Sequence, residues 1–134
     1  MRIEEFHVGQ SYSKNFEITE KMGEMFAEIS GDKNPIHLNC EYAKKTIFGK
    51  KIVHGMLVVS FISGILGNDF PGVGTVYLNQ EINFKKPIYY NEVISINVEV
   101  EEIDEKRRRL TLKTDCLNKE GITCFSGKAI VMLS

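Results

Sequence analysis

From Met56 to Leu66 the chain reads MLVVSFISGIL, apolar almost all round. A helix that is apolar all round has no face to give to water and must be buried on every side. In a chain of 134 residues the cover has to come from the chain's own second half. There Ile94, Ile96, Val98 and Val100 alternate with Ser95, Asn97 and Glu99, the period of a half-buried strand. Leu110 and Leu112 alternate with Thr111 and Lys113, and Ile122 to Leu133 is a further β-rich run. Asn118-Lys119-Glu120-Gly121 supplies turn chemistry between the last two strands. An earlier strand spans Tyr77 to Ile88 and ends near Pro87. Helices first and strands later predict an α+β fold, a mainly antiparallel sheet curled round one central helix.

The first third carries the chemistry. Tyr12 to Ile18 alternates as a first strand, and Thr19 then caps a helix with Glu20 in its first turn. Met22, Met25, Phe26 and Ile29 follow at amphipathic spacing, and Gly31 closes the helix. Asn39 caps a second short helix through Tyr42 to Lys45. Between the two lies Asp32-Lys33-Asn34-Pro35-Ile36-His37. Pro35 lacks an N–H and pushes Asn34 toward extended geometry, so Asp32 and His37 are expected on a short irregular link. Such a link can aim both side chains at one point, which positions five apart on a continuous helix cannot do. A carboxylate beside an imidazole suits proton transfer, although this spacing alone is common.

Bulk properties exclude several classes. A formal net charge of −1 gives no electrostatic footprint for nucleic acid. No linker, repeat or biased tract divides the chain, so residues 1–134 are expected to form a single domain. Cys40, Cys116 and Cys124 are odd in number and widely spaced, which favours reduced thiols over a disulfide or zinc framework. The charged N-terminus does not read as a signal peptide, and the apolar run falls short of the ~20 residues of a membrane span. A soluble, cytoplasmic protein is expected. The three histidines, His7, His37 and His54, are far apart in sequence and imply no metal. Gly72-Val73-Gly74 lacks the rest of a dinucleotide pattern.

Phe26, Ile29-Ser30-Gly31-Asp32-Lys33-Asn34-Pro35-Ile36-His37 and Ala43 together resemble the signature of the MaoC-like, R-specific enoyl-CoA hydratases (hydratase 2). The resemblance continues through Ile52-Val53-His54-Gly55-Met56-Leu57, Ser63-Gly64-Ile65-Leu66-Gly67 and Phe84-Lys85-Lys86-Pro87, with no departure at the motif positions. The length matches the short, polyhydroxyalkanoate-supplying members. The resemblance implies a hot-dog fold and reversible hydration of a trans-2-enoyl-CoA to an (R)-3-hydroxyacyl-CoA, with no cofactor beyond the thioester itself. It implies Asp32 and His37 as the catalytic pair that holds the attacking water, and the Gly55 N–H as the donor to the thioester carbonyl. Gly55 stands at the predicted start of the apolar helix, where N–H groups are unpaired and the dipole is positive.

Other residues admit two readings. Ser63 matches a family active-site serine, and it equally suits a core serine bonded back to its own helix. Asn34 shapes the link through side-chain-to-backbone bonds typical of Asn before Pro. His54 is read as structural rather than as a third proton carrier, and nothing attaches to His7. Lys106-Arg107-Arg108-Arg109 offers charge for coenzyme A phosphates, but it follows an acidic run and reads better as a solvated hairpin turn. Lys85 and Lys86 are similarly open. Alternatives to hydration are dehydration of an (R)-3-hydroxyacyl thioester of CoA or acyl-carrier protein, thioester hydrolysis, and an inactive acyl-thioester-binding module. The acyl chain length is not legible. An exposed sheet edge and the family resemblance both point to a homodimer.

Overall fold

The alternation in the second half makes each of its strands two-faced. In the computed structural model, which describes residues 1–134, five strands form one antiparallel sheet in the order β1-β3-β4-β5-β2. They are β1 (Ser11–Glu17), β2 (Thr75–Phe84), β3 (Val93–Asp104), β4 (Arg109–Leu117) and β5 (Thr123–Leu133). Ile94, Ile96, Val98 and Val100 of β3, Leu110, Leu112 and Cys116 of β4, and Phe125, Ala129, Val131 and Leu133 of β5 are all buried. The register pairs Ile96 with Cys116 and Val100 with Leu112, so these rows merge into one apolar face. Ser95, Glu99, Lys113 and Lys128 lie on the other face. Thr114, the one hydroxyl in the inward row of β4, is satisfied by Gln80 Nε2 at 3.0 Å.

The apolar face is covered by α4 (Gly55–Gly64) and the π-helical turn after it (Ile65–Asp69). Leu57, Val58, Val59 and Ile62 are buried, as are Ile65 and Leu66. A sheet wrapped round one helix is the hot-dog architecture. The helix is not buried on every side, however: Met56, Ser60, Ser63 and Gly64 form an exposed stripe. One sheet can cover only the side it faces, and the remainder stays uncovered in a single chain.

The amphipathic pattern of α1 (Glu20–Ser30) needs a similar correction. Its buried residues are Gly23 and Ala27, with Met22 and Phe26 packed against the core, whereas Met25 is 58% and Ile29 86% exposed. Small residues let the helix lie close, so contact is made along their line rather than along the bulkiest side chains. Thr19 caps α1 by accepting from the Met22 N–H at 3.3 Å, and Gly31 ends it at φ 79°, a left-handed conformation glycine adopts without strain. The link beyond is not wholly irregular. It contains the one-turn helix α2 (Pro35–Leu38), which precedes α3 (Cys40–Lys44). Pro35 suits the first helical position because its missing N–H would be unpaired there in any case.

β2 ends at Phe84 rather than near Ile88. The Lys85 and Lys86 N–H groups both donate to the Cys124 carbonyl, at 2.8 and 3.1 Å, and turn the chain off the sheet. No helix is long and apolar enough to cross a membrane, and all three cysteines are free thiols.

Ile62 is fully buried between α4 and the sheet, whereas Ile47 is 96% exposed. Ile62→Ala is expected to lower unfolding free energy by about 2–5 kcal/mol in urea melts. Ile47→Ala should stay within about 0.5 kcal/mol of the parent. Equal effects would contradict the placement of α4 at the core.

Candidate active site

Three elements that are distant in sequence meet at one cavity of about 420 Å³: the α2 link, the start of α4 and the end of β2. Asp32, His37, Gly55, Met56 and Phe84 are among its lining residues. His37 Nδ1 lies 2.9 Å from the Ile52 carbonyl oxygen. A carbonyl only accepts, so Nδ1 carries the hydrogen, and in the neutral ring Nε2 keeps its lone pair. Nε2 stands 3.9 Å from Asp32 Oδ2.

Burial pushes the His37 pKa below its usual value and outweighs the Ile52 hydrogen bond, which acts in the opposite direction; nearby His54 lowers it further, and Asp32 raises it. His37 is therefore neutral near pH 7, and the approach to Asp32 is not an ion pair. It is a pair of acceptors separated by a gap that one hydroxylic oxygen, donating to both, would fill. The Asp32 carboxylate is held for this arrangement. Its Oδ1 accepts from the Asn34 N–H at 3.2 Å, which leaves Oδ2 toward His37.

The link that carries this pair is fixed from several directions. Asn34 Oδ1 caps α2 by accepting from the Ile36 N–H at 3.2 Å. The Tyr90 hydroxyl donates to the His37 carbonyl at 3.0 Å, and the Ile52 N–H donates to the Ile36 carbonyl at 3.2 Å. His54, 2% exposed, donates from Nε2 to the Asp32 carbonyl at 2.9 Å. Its ring stacks on His37 with centroids 3.9 Å apart, and the Phe26 ring meets it edge-on at 5.0 Å. His54 thus spaces and supports the pair, in keeping with a structural role.

Ligand-type atoms of Asp32, His37 and His54 lie within 4.8 Å of one another, although the histidines are far apart in sequence. The geometry fits a metal ion poorly. Each ring commits one nitrogen to a carbonyl, and lone pairs lying in two stacked ring planes do not converge on a common centre.

Gly55 opens α4 and lines the cavity. His54 gives no side-chain cap, and its carbonyl is taken by the Leu57 N–H at 3.1 Å, so the Gly55 N–H has no acceptor within the chain. A Cβ at Gly55 would come within 2.6 Å of Phe84 Cε1, so only glycine lets that ring pack against the helix start. Asp32, His37 and Gly55 are therefore brought together at the cavity, whereas Asn34 is bonded to Asp32 but does not itself line it. Ser63 is not brought there: it sits two turns along α4 on the exposed stripe and does not line the cavity of the single chain.

His7 is exposed near the N-terminus. Lys106 to Arg108 lie in the β3–β4 turn and Arg109 opens β4; Arg108 donates to the Leu133 and Met1 carbonyls at 2.9 and 3.0 Å. Arg109 is registered with Met132, seven residues along β5 from Phe125 and so about 24 Å from the cavity. Tyr90 and the Ile52 carbonyl escaped the sequence reading. Neither carries a local signal, because each acts on a residue 53 or 15 positions away.

A lowered folded-state pKa means that the unfolded chain binds the His37 proton more readily. Stability is therefore unaffected well above pH 6.5 and falls as pH drops from there toward the depressed folded value. An NMR titration should place the His37 midpoint below 6.5, and His37→Gln should weaken the acid-side loss of stability. A midpoint above 6.5 would mean that the Ile52 hydrogen bond and the Asp32 charge together outweigh burial.

Comparison with known proteins gives the chain's family. The family described as MaoC like domain matches residues 5–120. An (R)-specific enoyl-CoA hydratase of Aeromonas caviae is 38% identical, covering 99% of this chain and 99% of that protein. A 3-hydroxybutyryl-CoA dehydratase of Methylorubrum extorquens is also 38% identical, over 96% of this chain and 82% of its own length. Among solved structures, an (R)-hydratase from A. caviae involved in PHA biosynthesis superposes with a TM-score of 0.93 at 36% identity, covering 96% of this chain and 98% of that one. On sequence and on fold, the chain belongs to the MaoC-like domain family.

Proposed function

We propose that the cavity adds water reversibly across the C2=C3 bond of a trans-2-enoyl-CoA to give the (R)-3-hydroxyacyl-CoA. The observation that carries this reading is the neutral His37 Nε2 held 3.9 Å from Asp32 Oδ2, in a cavity that Gly55 at the start of α4 also lines. Conjugate addition needs an oxygen delivered to C3, a proton delivered to C2, and a donor for the charge that gathers on the thioester oxygen. Asp32 and His37 both accept from one water and hold its oxygen over C3. The proton leaving that water passes to the Asp32–His37 unit, and the unit returns one to C2. Since both groups contact the same water, the transfer is assigned to the pair.

The Gly55 N–H at the positive end of α4 donates to the thioester oxygen as the C2 carbanion delocalises onto it. Such a donor typically contributes about 3 kcal/mol to the transition state. The reverse path removes water from an (R)-3-hydroxyacyl thioester, as the name of the M. extorquens relative describes for that protein.

In this reading residues 1–134 act as one unit in the cytoplasm and require no cofactor beyond the thioester. They act as a homodimer. The two sheet edges differ: β1 carries Lys14 and Glu17 along its short length, whereas the first half of β2 exposes Val76 and Leu78, at 41% and 42%, and the one charge of that strand, Glu81, comes three residues on. Edges of the second kind are normally paired or covered. A partner on the β2 side would also help to cover the α4 stripe, and any contact between Ser63 and substrate belongs to that closed state.

Asp32→Asn and His37→Ala should each lower kcat for crotonyl-CoA hydration by on the order of 10²–10⁴ with folding intact by circular dichroism. The double variant should be little worse than the weaker single, since the two residues work as one unit. Additive losses would argue for separate roles. Sedimentation at micromolar concentration should give the dimer mass for the parent chain and the monomer mass for a Val76→Lys, Leu78→Lys variant. A monomeric parent would contradict the paired-edge reading.

A further inference from the structure

The cavity's lining includes one carboxylate, Asp32, and two ammonium-bearing side chains, Lys85 and Lys86, at the end where β2 leaves the sheet. Other lysines near this region are already engaged. Lys44 pairs with Glu41 at 3.2 Å, Lys51 pairs with Glu20, and Lys50 lies over the Tyr89 ring at 4.4 Å. Those three line a smaller cavity of about 230 Å³ and have their charge answered there. Lys85 and Lys86 are exposed, and neither makes an ion pair or a cation–π contact. The basic turn at Lys106 to Arg109 lies at the far end of the sheet, with Arg108 tied to carbonyls.

The backbone under these two lysines is held in place. Both of their N–H groups donate to the Cys124 carbonyl, at 2.8 and 3.1 Å. Pro87 follows with a fixed φ, and the Ile88 carbonyl then accepts from the Val53 N–H at 2.7 Å. Phe84, just before them, lies on Gly55 at the proposed thioester position. Two unneutralised ammonium groups thus stand on a fixed rim just outside the reacting centre, with their backbone ordered before any ligand arrives.

We propose that Lys85 and Lys86 form a phosphate-recognising rim, so that the site reads the diphosphate-bearing handle of coenzyme A as well as its acyl group. The identity of the ligand rests on the hydration reading; the site itself rests on the rim geometry. Lysine serves here as a point charge, because the diphosphate arm is flexible and does not demand the planar fork of arginine. The acyl group and the reacting carbons lie inside the cavity, beyond the reach of these ammonium groups, which act on the handle alone.

The test measures binding rather than turnover. Isothermal titration of coenzyme A and of pantetheine, its phosphate-free portion, is carried out on the parent chain, on Lys85→Gln/Lys86→Gln, and on Lys85→Arg/Lys86→Arg. The parent should prefer coenzyme A by about five- to tenfold, as expected for two exposed charge contacts, and added salt should erode that preference. The glutamine variant should lose the preference through weaker coenzyme A binding while its pantetheine affinity holds, and the arginine variant should retain it. A preference that survives in the glutamine variant, or a parent that shows none, overturns the proposal. A lysine-dependent preference in a protein that fails to hydrate crotonyl-CoA would sink the hydration reading and leave the rim standing. Normal hydration without the preference would do the reverse.

Discussion

A helix carrying Leu57, Val58, Val59 and Ile62 along one side cannot stand in water, and the whole chain is arranged to cover that side. Burying a single side chain of this size contributes roughly 1.5–3 kcal/mol. The inward rows of β3, β4 and β5 exist to receive these residues, and the sheet orders itself around them. Covering the helix also fixes where its N-terminus points. Gly55 is held against Phe84 at the end of β2, and the start of the helix lines the cavity. The chemistry therefore inherits its position from the packing.

The polar part of the site depends on a few carbonyl groups. The Ile52 carbonyl fixes which His37 nitrogen bears the hydrogen, and the Asp32 carbonyl fixes His54. The Tyr90 hydroxyl then holds the His37 carbonyl. Each bond joins the α2 link to a segment it does not neighbour in sequence, so the link has little freedom to drift. Burial keeps the His37 ring uncharged despite the nearby Asp32, and an uncharged ring can still take a proton. A fully charged pair would be held together tightly and would have no lone pair to offer at Nε2.

Much of this was legible in the sequence because it is local. The alternation in β3 and β4, the cap at Thr19, the left-handed stop at Gly31 and the Asp32–His37 juxtaposition all follow from spacing and turn chemistry. The fold class followed from one apolar run and the strands able to wrap it. Other features were hidden because they depend on what lies opposite. Nothing near Ile29 says that its helix packs instead through Gly23 and Ala27. The α4 pattern reads as apolar all round, yet the stripe with Met56, Ser60 and Ser63 lies outside the reach of a single sheet. The approach of His54 to His37 likewise exists only once the start of α4 and the α2 link are folded together.

The central claim is that one water, held by Asp32 and His37 together, supplies both the hydroxyl and the proton exchange. Oxygen and proton must then reach the double bond from the same face. The direct measurement is to incubate crotonyl-CoA with the protein in D2O and to determine the configuration at C3, the position of deuterium at C2 and the free thiol in one product mixture. The expected product is the (R)-alcohol with deuterium and hydroxyl added syn, and no thiol above background. An (S)-product, anti addition or release of free coenzyme A would contradict it.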